Sequence, residues 1–200
     1  MDLGENKMRK IVLASKSPRR RELLSEFVSD FDIIADDAEE ITEDGITPEE
    51  TVRNLAMQKA RNVAKKADES ALVIGADTVV FIDGKILGKP ANKEEASEML
   101  HMLSGRDHHV CTGLAIIDNE SKKSYCGFER TAVHFRHLED EEIERYIATG
   151  EPMDKAGAYG IQNIGALFVE GIKGDYFNVV GLPLCKLGQV LKEEFGYELF

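Results

Sequence analysis

The run Leu72-Val73-Ile74-Gly75-Ala76-Asp77-Thr78-Val79-Val80-Phe81-Ile82 reads as the most apolar strand of the chain, turning at Asp83-Gly84 into Lys85-Ile86-Leu87. Around it, helix and strand patterns alternate without repeats or low-complexity segments. Ile11–Ala14 reads as a buried strand, residues 18–27 as a helix and 31–35 as a second strand. An acidic loop follows, and Thr47-Pro48-Glu49-Glu50 carries the cap and first turn of a helix running to about residue 66. Lys93–Leu103 is helical, and residues 110–117 and 124–136 form a long hairpin joined by a polar turn. Residues 139–148 read as a helix, a glycine-rich stretch spans 157–165, and a strand is expected over 166–171. A last helix is expected over 179–195, with Gly181 and Pro183 in its first turns. The sum is a mixed α/β protein: an elongated, partly antiparallel sheet flanked by helices, with two lobes around a cleft. Residues 1–7 read as a polar, frayed extension and 8–200 as a single domain.

Asp77 is the anomaly within the apolar strand. A carboxylate there costs several kcal/mol if buried without a cation, a metal or a proton. It is therefore either a structural acid hydrogen-bonded to a turn or a catalytic or metal-binding acid. Gly75 and Ala76 leave room for something to approach the backbone, and Thr78 points to the opposite side of a regular strand.

A second anomaly follows the first strand. Ser15-Lys16-Ser17-Pro18-Arg19-Arg20-Arg21-Glu22-Leu23-Leu24 joins a hydroxyl-bearing turn to a helix start with three guanidinium groups. Ser17 and Pro18 suit the N-cap and first helical positions, and unpaired N–H donors beside arginines make a candidate phosphate site. With Leu23, Leu24 and Phe27 as the buried stripe, Arg20 falls nearly on the core line, whereas Arg21 and Glu22 are solvated. Three surface arginines on a capped helix is the bland alternative.

Other candidates are weaker singly. Lys59 lies in an apolar-spaced helix and Lys89 in Gly88-Lys89-Pro90; each is either placed or simply solvated. Glu39 and Glu40 could hold magnesium or manganese, or form a solvated loop. Gln162, after Ala158-Tyr159-Gly160-Ile161, has an amide suited to reading a base edge. No Walker A loop, Rossmann fingerprint, GxSxG elbow or HExxH is present.

The net charge of -12 opposes general affinity for nucleic acid or anionic membrane. No apolar run is long enough to cross a bilayer and no signal-peptide core is present, so a cytoplasmic protein is expected. Cys111, Cys126 and Cys185 are isolated and read as reduced thiols. His108-His109 and His134/His137 read as solvated or strand-edge residues.

Taken together, Ser-Lys-Ser-Pro-Arg-Arg at 15–20, Gly-Ala-Asp-Thr at 75–78, Gly-Lys-Pro at 88–90, Ser-Gly-Arg at 104–106, Asp-Lys-Ala-Gly-Ala-Tyr-Gly-Ile-Gln at 154–162 and Gly-Asp-Tyr-Phe-Asn-Val-Val-Gly-Leu-Pro at 174–183 resemble the Maf family of nucleoside triphosphate pyrophosphatases. The resemblance spans nearly everything after Met8. It implies a fold similar to that of ITP pyrophosphatases and cleavage of a nucleoside triphosphate between the α and β phosphates. It places the catalytic base on Asp77, acting with a divalent cation, magnesium or manganese, and the phosphate and metal contacts on Ser15, Arg19, Glu40, Lys59 and Lys89. Arg20, Thr78 and Gln162 match the selectivity positions of the branch acting on dTTP and UTP, with modified pyrimidine nucleotides as further substrates and a homodimer as the expected assembly. A purine-directed ITP/XTP pyrophosphatase and a non-enzymatic regulator of cell division are the competing readings.

Overall fold

The computed structural model describes residues 9–35, 38, 40–41 and 45–199. The extension expected over residues 1–7, and Glu39, lie outside the described residues.

The apolar run forms β3 (Leu72–Ile82), the axis of a seven-stranded sheet. Parallel to it runs β1 (Ile11–Ala14), which pairs with β2 (Phe31–Ile33), also parallel. Antiparallel partners are β4 (Lys85–Leu87) and β5 (Asp107–Asp118), and the sheet continues through β6 (Ser124–Phe135) to β7 (Val169–Lys173). The strand order is therefore β2-β1-β3-β5-β6-β7, with β4 beside β3.

This pairing leaves an opening. β5 accompanies β3 along nearly its whole length, from Leu72 to Phe81. On the other edge, β1 stops at the pair Ala14↔Gly75 and β4 begins at Leu87↔Val80. Ala76, Asp77, Thr78 and Val79 consequently have a strand on one side only. Strand carboxyl ends at such interruptions are where α/β sheets place ligands.

One helix covers one face. In α2 (Pro48–Ala64), the Thr47 hydroxyl accepts from the Glu50 amide at 3.2 Å, and the Glu50 carboxylate accepts from the Thr47 amide at 3.0 Å, completing the expected capping box. Its Ala56, Ala60 and Val63 pack on Val12, Ala14, Val73 and Ala115. Gly75 and Gly113 permit this closeness, since a Cβ would lie 2.4 Å from the Ala56 carbonyl oxygen or 2.0 Å from that of Val52. The room foreseen around Gly75 is thus filled by α2, which brings Lys59 beside Asp77.

Two cores share the opposite face. Leu23 and Leu24 of α1 (Pro18–Ser25), with Leu184, Leu187 and Leu191 of α6 (Leu184–Phe195), cover Leu13, Ile74 and Leu114. Further along, α3 (Lys93–Leu103) and α4 (Asp140–Ala148) cover Val80, Val110 and Phe135. Thr78 and Thr112 lie on this face between the two cores.

Several expectations change. Phe27 is 44% exposed, because α1 ends at Ser25 and Val28 takes the core place instead, its amide bonded to the Leu24 carbonyl. β2 stops at Ile33, short of residue 35; β5 spans Asp107–Asp118 rather than 110–117, and β6 starts at Ser124 as expected but ends at Phe135 rather than 136. The strand expected over 166–171 begins only at Val169, since Asn163–Phe168 forms tight 3-10 turns. The final helix is two: α5 (Tyr176–Val180) ends at Gly181, whose φ of 122° no helix accommodates, and Pro183 precedes α6. His108, read as solvated or strand-edge, is fully buried. Strand alternation turns it inward with Val110 and Thr112.

Candidate active site

A cleft of about 660 Å³ opens where β3 lacks its second neighbour, within the range typical of small-molecule sites. Ser15, Arg19, Arg20, Glu40, Lys59, Asp77, Thr78, Lys89 and Gln162 all line it, so every predicted site residue among the described ones is brought together.

Asp77 and Thr78 divide the cleft by facing opposite sides of β3. On the α2 side, the Asp77 carboxylate pairs with the Lys59 ammonium. The same ammonium lies 2.8 Å from the Glu40 carboxylate. Asp77 keeps 12% of its side-chain exposure and Lys59 17%, whereas Glu40 retains 55%. The buried carboxylate is thus charge-paired, and its edge still meets the cleft. Two hard oxygen donors converging on one cation are also the donor set that a magnesium or manganese ion shares with substrate phosphates.

On the other side stands Arg20. Its Nε donates to the Gly181 carbonyl at 2.7 Å, Nη1 to the Ala76 carbonyl at 2.9 Å and to the Ser15 hydroxyl at 3.3 Å, and Nη2 to the Thr78 hydroxyl at 2.9 Å. The Ala76 carbonyl is free to accept because β1 has already ended. Every one of these acceptors is neutral. Burial lowers the Arg20 pKa, and the field of Asp77 opposes that shift. Arg21, as expected from the helix phase, is exposed.

The N-terminus of α1 completes one wall. Ser17 is its N-cap and Pro18 its first residue, but the Ser17 side chain makes no capping bond. The Ser17 amide instead donates to the Ser15 hydroxyl at 3.2 Å. Arg19 reaches Asp154 at 3.1 Å. Burial would raise the Asp154 carboxyl, but hydrogen bonds from Lys155 and Arg19 outweigh it and hold the pKa down.

Facing this wall is the loop that carries Tyr159 and Gln162. Ala158 has φ 59° and Asn163 φ 58°, left-handed conformations that strain an L residue and that concentrate at functional sites. The Tyr159 hydroxyl and His108 Nε2 are 2.7 Å apart in the core beneath. Burial holds the His108 pKa down at about 4 and raises that of Tyr159. Sequence reasoning missed this pair, along with Asp154, which anchors Arg19, and Thr112, which contacts Thr78.

The family model for Maf-like proteins matches residues 10–194. A protein of Alkaliphilus oremlandii (strain OhILAs) named dTTP/UTP pyrophosphatase is 53% identical over 192 residues, covering 96% of this chain and all of its own. One of the same name from Thermoanaerobacter sp. (strain X514) is 55% identical over 190 residues, covering 95% and 99%. Among solved structures, the Staphylococcus aureus Ham1 protein aligns over 63% of this chain and 71% of its own, at 16% identity and a TM-score of 0.46.

Proposed function

Since the chain belongs to the Maf-like family, we propose that it hydrolyses dTTP and UTP to the monophosphate and pyrophosphate. The observation that carries the reading is the Lys59 ammonium joining the Asp77 and Glu40 carboxylates in a cleft whose other wall is the arginine-bearing terminus of α1. The names of the relatives, at 50% identity and above over nearly full length, support the substrate.

Asp77 accepts a proton from water as the water oxygen attacks the α phosphorus. The bond from that phosphorus to the bridging oxygen breaks, and pyrophosphate leaves with the electron pair. Lys59 holds the Asp77 carboxylate in place for this transfer. Arg19, Lys89 and the hydroxyl of Ser15 stand on the cleft wall, where they bind and orient the triphosphate and offset its charge. A magnesium or manganese ion on Glu40 and Asp77 would supply Lewis-acid stabilisation of the phosphate oxygens. Arg20, Thr78 and Gln162 are assigned to the base, with modified pyrimidine nucleotides as further substrates.

Among the described residues no helix is long and apolar enough to cross a membrane. The three free thiols suit the reducing cytoplasm, where we place the protein. Pyrophosphate release across a nucleotide panel tests the reading. Turnover of dTTP and UTP ahead of the purine nucleotides is expected; preference for ITP or XTP, or binding of DNA at physiological salt with no pyrophosphate released, would refute it.

A further inference from the structure

Behind Arg20 runs a chain of hydrogen bonds whose direction is forced at every step. Guanidinium nitrogens only donate, so the Thr78 hydroxyl accepts from Arg20 Nη2 at 2.9 Å. At the far end, Thr112 lies 2.9 Å from the backbone carbonyl of Asn178, which only accepts, so the single Thr112 proton is spent there. Between the two hydroxyls, also 2.9 Å apart, Thr78 must therefore be the donor. Each hydroxyl has one proton and one permitted direction.

The end point is equally constrained. The Asn178 carbonyl lies in the last turn of α5, where the break at Gly181 sends the amides of both Gly181 and Leu182 to the Phe177 carbonyl instead. Thr112 takes over as its donor, in a position that is fully buried. The Asn178 side chain is itself pinned, donating to the Val110 carbonyl at 3.1 Å and to the Thr131 hydroxyl at 3.0 Å. Arg20 is thus tied to α5 twice, through Nε to Gly181 and through Thr78 and Thr112 to Asn178. Among the described residues, four of its N–H groups have protein acceptors, which leaves one Nη2 hydrogen for a ligand in the cleft.

From this we propose that Thr112 is a positioning residue for nucleotide discrimination: by fixing the proton of Thr78 it aims the remaining Arg20 N–H at an acceptor atom of the substrate, a carbonyl oxygen of the pyrimidine ring. The inference rests on the pyrophosphatase reading above. Thr112 itself touches no substrate, being fully buried behind Thr78.

The test is the ratio of kcat/KM for dTTP to that for ITP in the full-length protein, with melting temperature measured alongside. Thr112→Val keeps shape and removes the hydroxyl; the ratio is expected to fall about tenfold, the order of one hydrogen bond to a charged group. Thr112→Ser restores the hydroxyl and is expected to hold the ratio near that of the unmodified protein. A Thr112→Val ratio within twofold of the unmodified value, whatever the melting temperature does, overturns the proposal. Should Thr112→Val fail to fold, Thr112→Cys, whose thiol is a weak donor, is expected to lose the ratio as well, and its retention overturns the proposal. Failure of the underlying reading shows separately, as no pyrophosphate released from dTTP or UTP by the unmodified protein.

Discussion

Two cations flank β3 at its opening, and they are held in opposite ways. Lys59 sits between two carboxylates, Asp77 and Glu40, while Arg20 is bonded to two carbonyls and two hydroxyls, all neutral. A paired cation has spent its field on its partners; one held by neutral dipoles keeps its charge for whatever enters. Burial accordingly weakens the hold of Arg20 on its proton, and the fields of Asp77 and Glu40 counter that. In the proposed function the α2 side serves proton transfer and the Arg20 side recognition.

Removing the proposed base should have the largest effect. Asp77→Asn is expected to lower kcat about 1,000-fold, while calorimetric titration shows dTTP still bound. Next comes the paired cation. Lys59→Met leaves two facing carboxylates without their counter-charge, and kcat/KM for dTTP should fall about 100-fold, with stability in urea reduced by about 3 kcal/mol. A smaller change is expected from Arg20→Lys, since an ammonium cannot reproduce the planar fork that reaches Gly181, Ala76 and Thr78 together. Discrimination between dTTP and ITP should drop about tenfold.

The least effect on turnover is expected at His108, on the same face as Thr112 but neutral. Its pKa in the fold, about 4, lies below the ordinary 6.5. The folded state therefore binds fewer protons than the unfolded one between these values. The stability this contributes is complete above pH 6.5 and lost as pH falls toward 4, up to about 3 kcal/mol. Urea titrations across that range should show the loss, and His108→Gln should flatten it with kcat at neutral pH changed less than threefold.

How much of this was legible in the sequence differs between the two sides. Asp77 stood out because a carboxylate in an apolar strand demands a partner, and helix phase marked Arg20 against Arg21. The capping box at Thr47 and the turn at Asp83-Gly84 are local chemistry, and both hold in the structure. The break at Gly181 had its signals in Gly181 and Pro183, but apolar spacing on both sides masked them. Phe27 followed the helix period past the point where the helix ends. What could not be read was tertiary: Lys59 meets Asp77 only because Gly75 and Gly113 admit α2 so closely. Thr112 gains its role solely from its register opposite Thr78 and from a carbonyl more than sixty residues away.

The division between the two sides is tested most directly by the kcat/KM ratio of dTTP to ITP in Asp77→Asn and Arg20→Lys, measured with the same pyrophosphate assay. Asp77→Asn is expected to slow both nucleotides alike and preserve the ratio, whereas Arg20→Lys is expected to change the ratio more than it changes kcat. A ratio that shifts with Asp77 and holds with Arg20 would contradict that division.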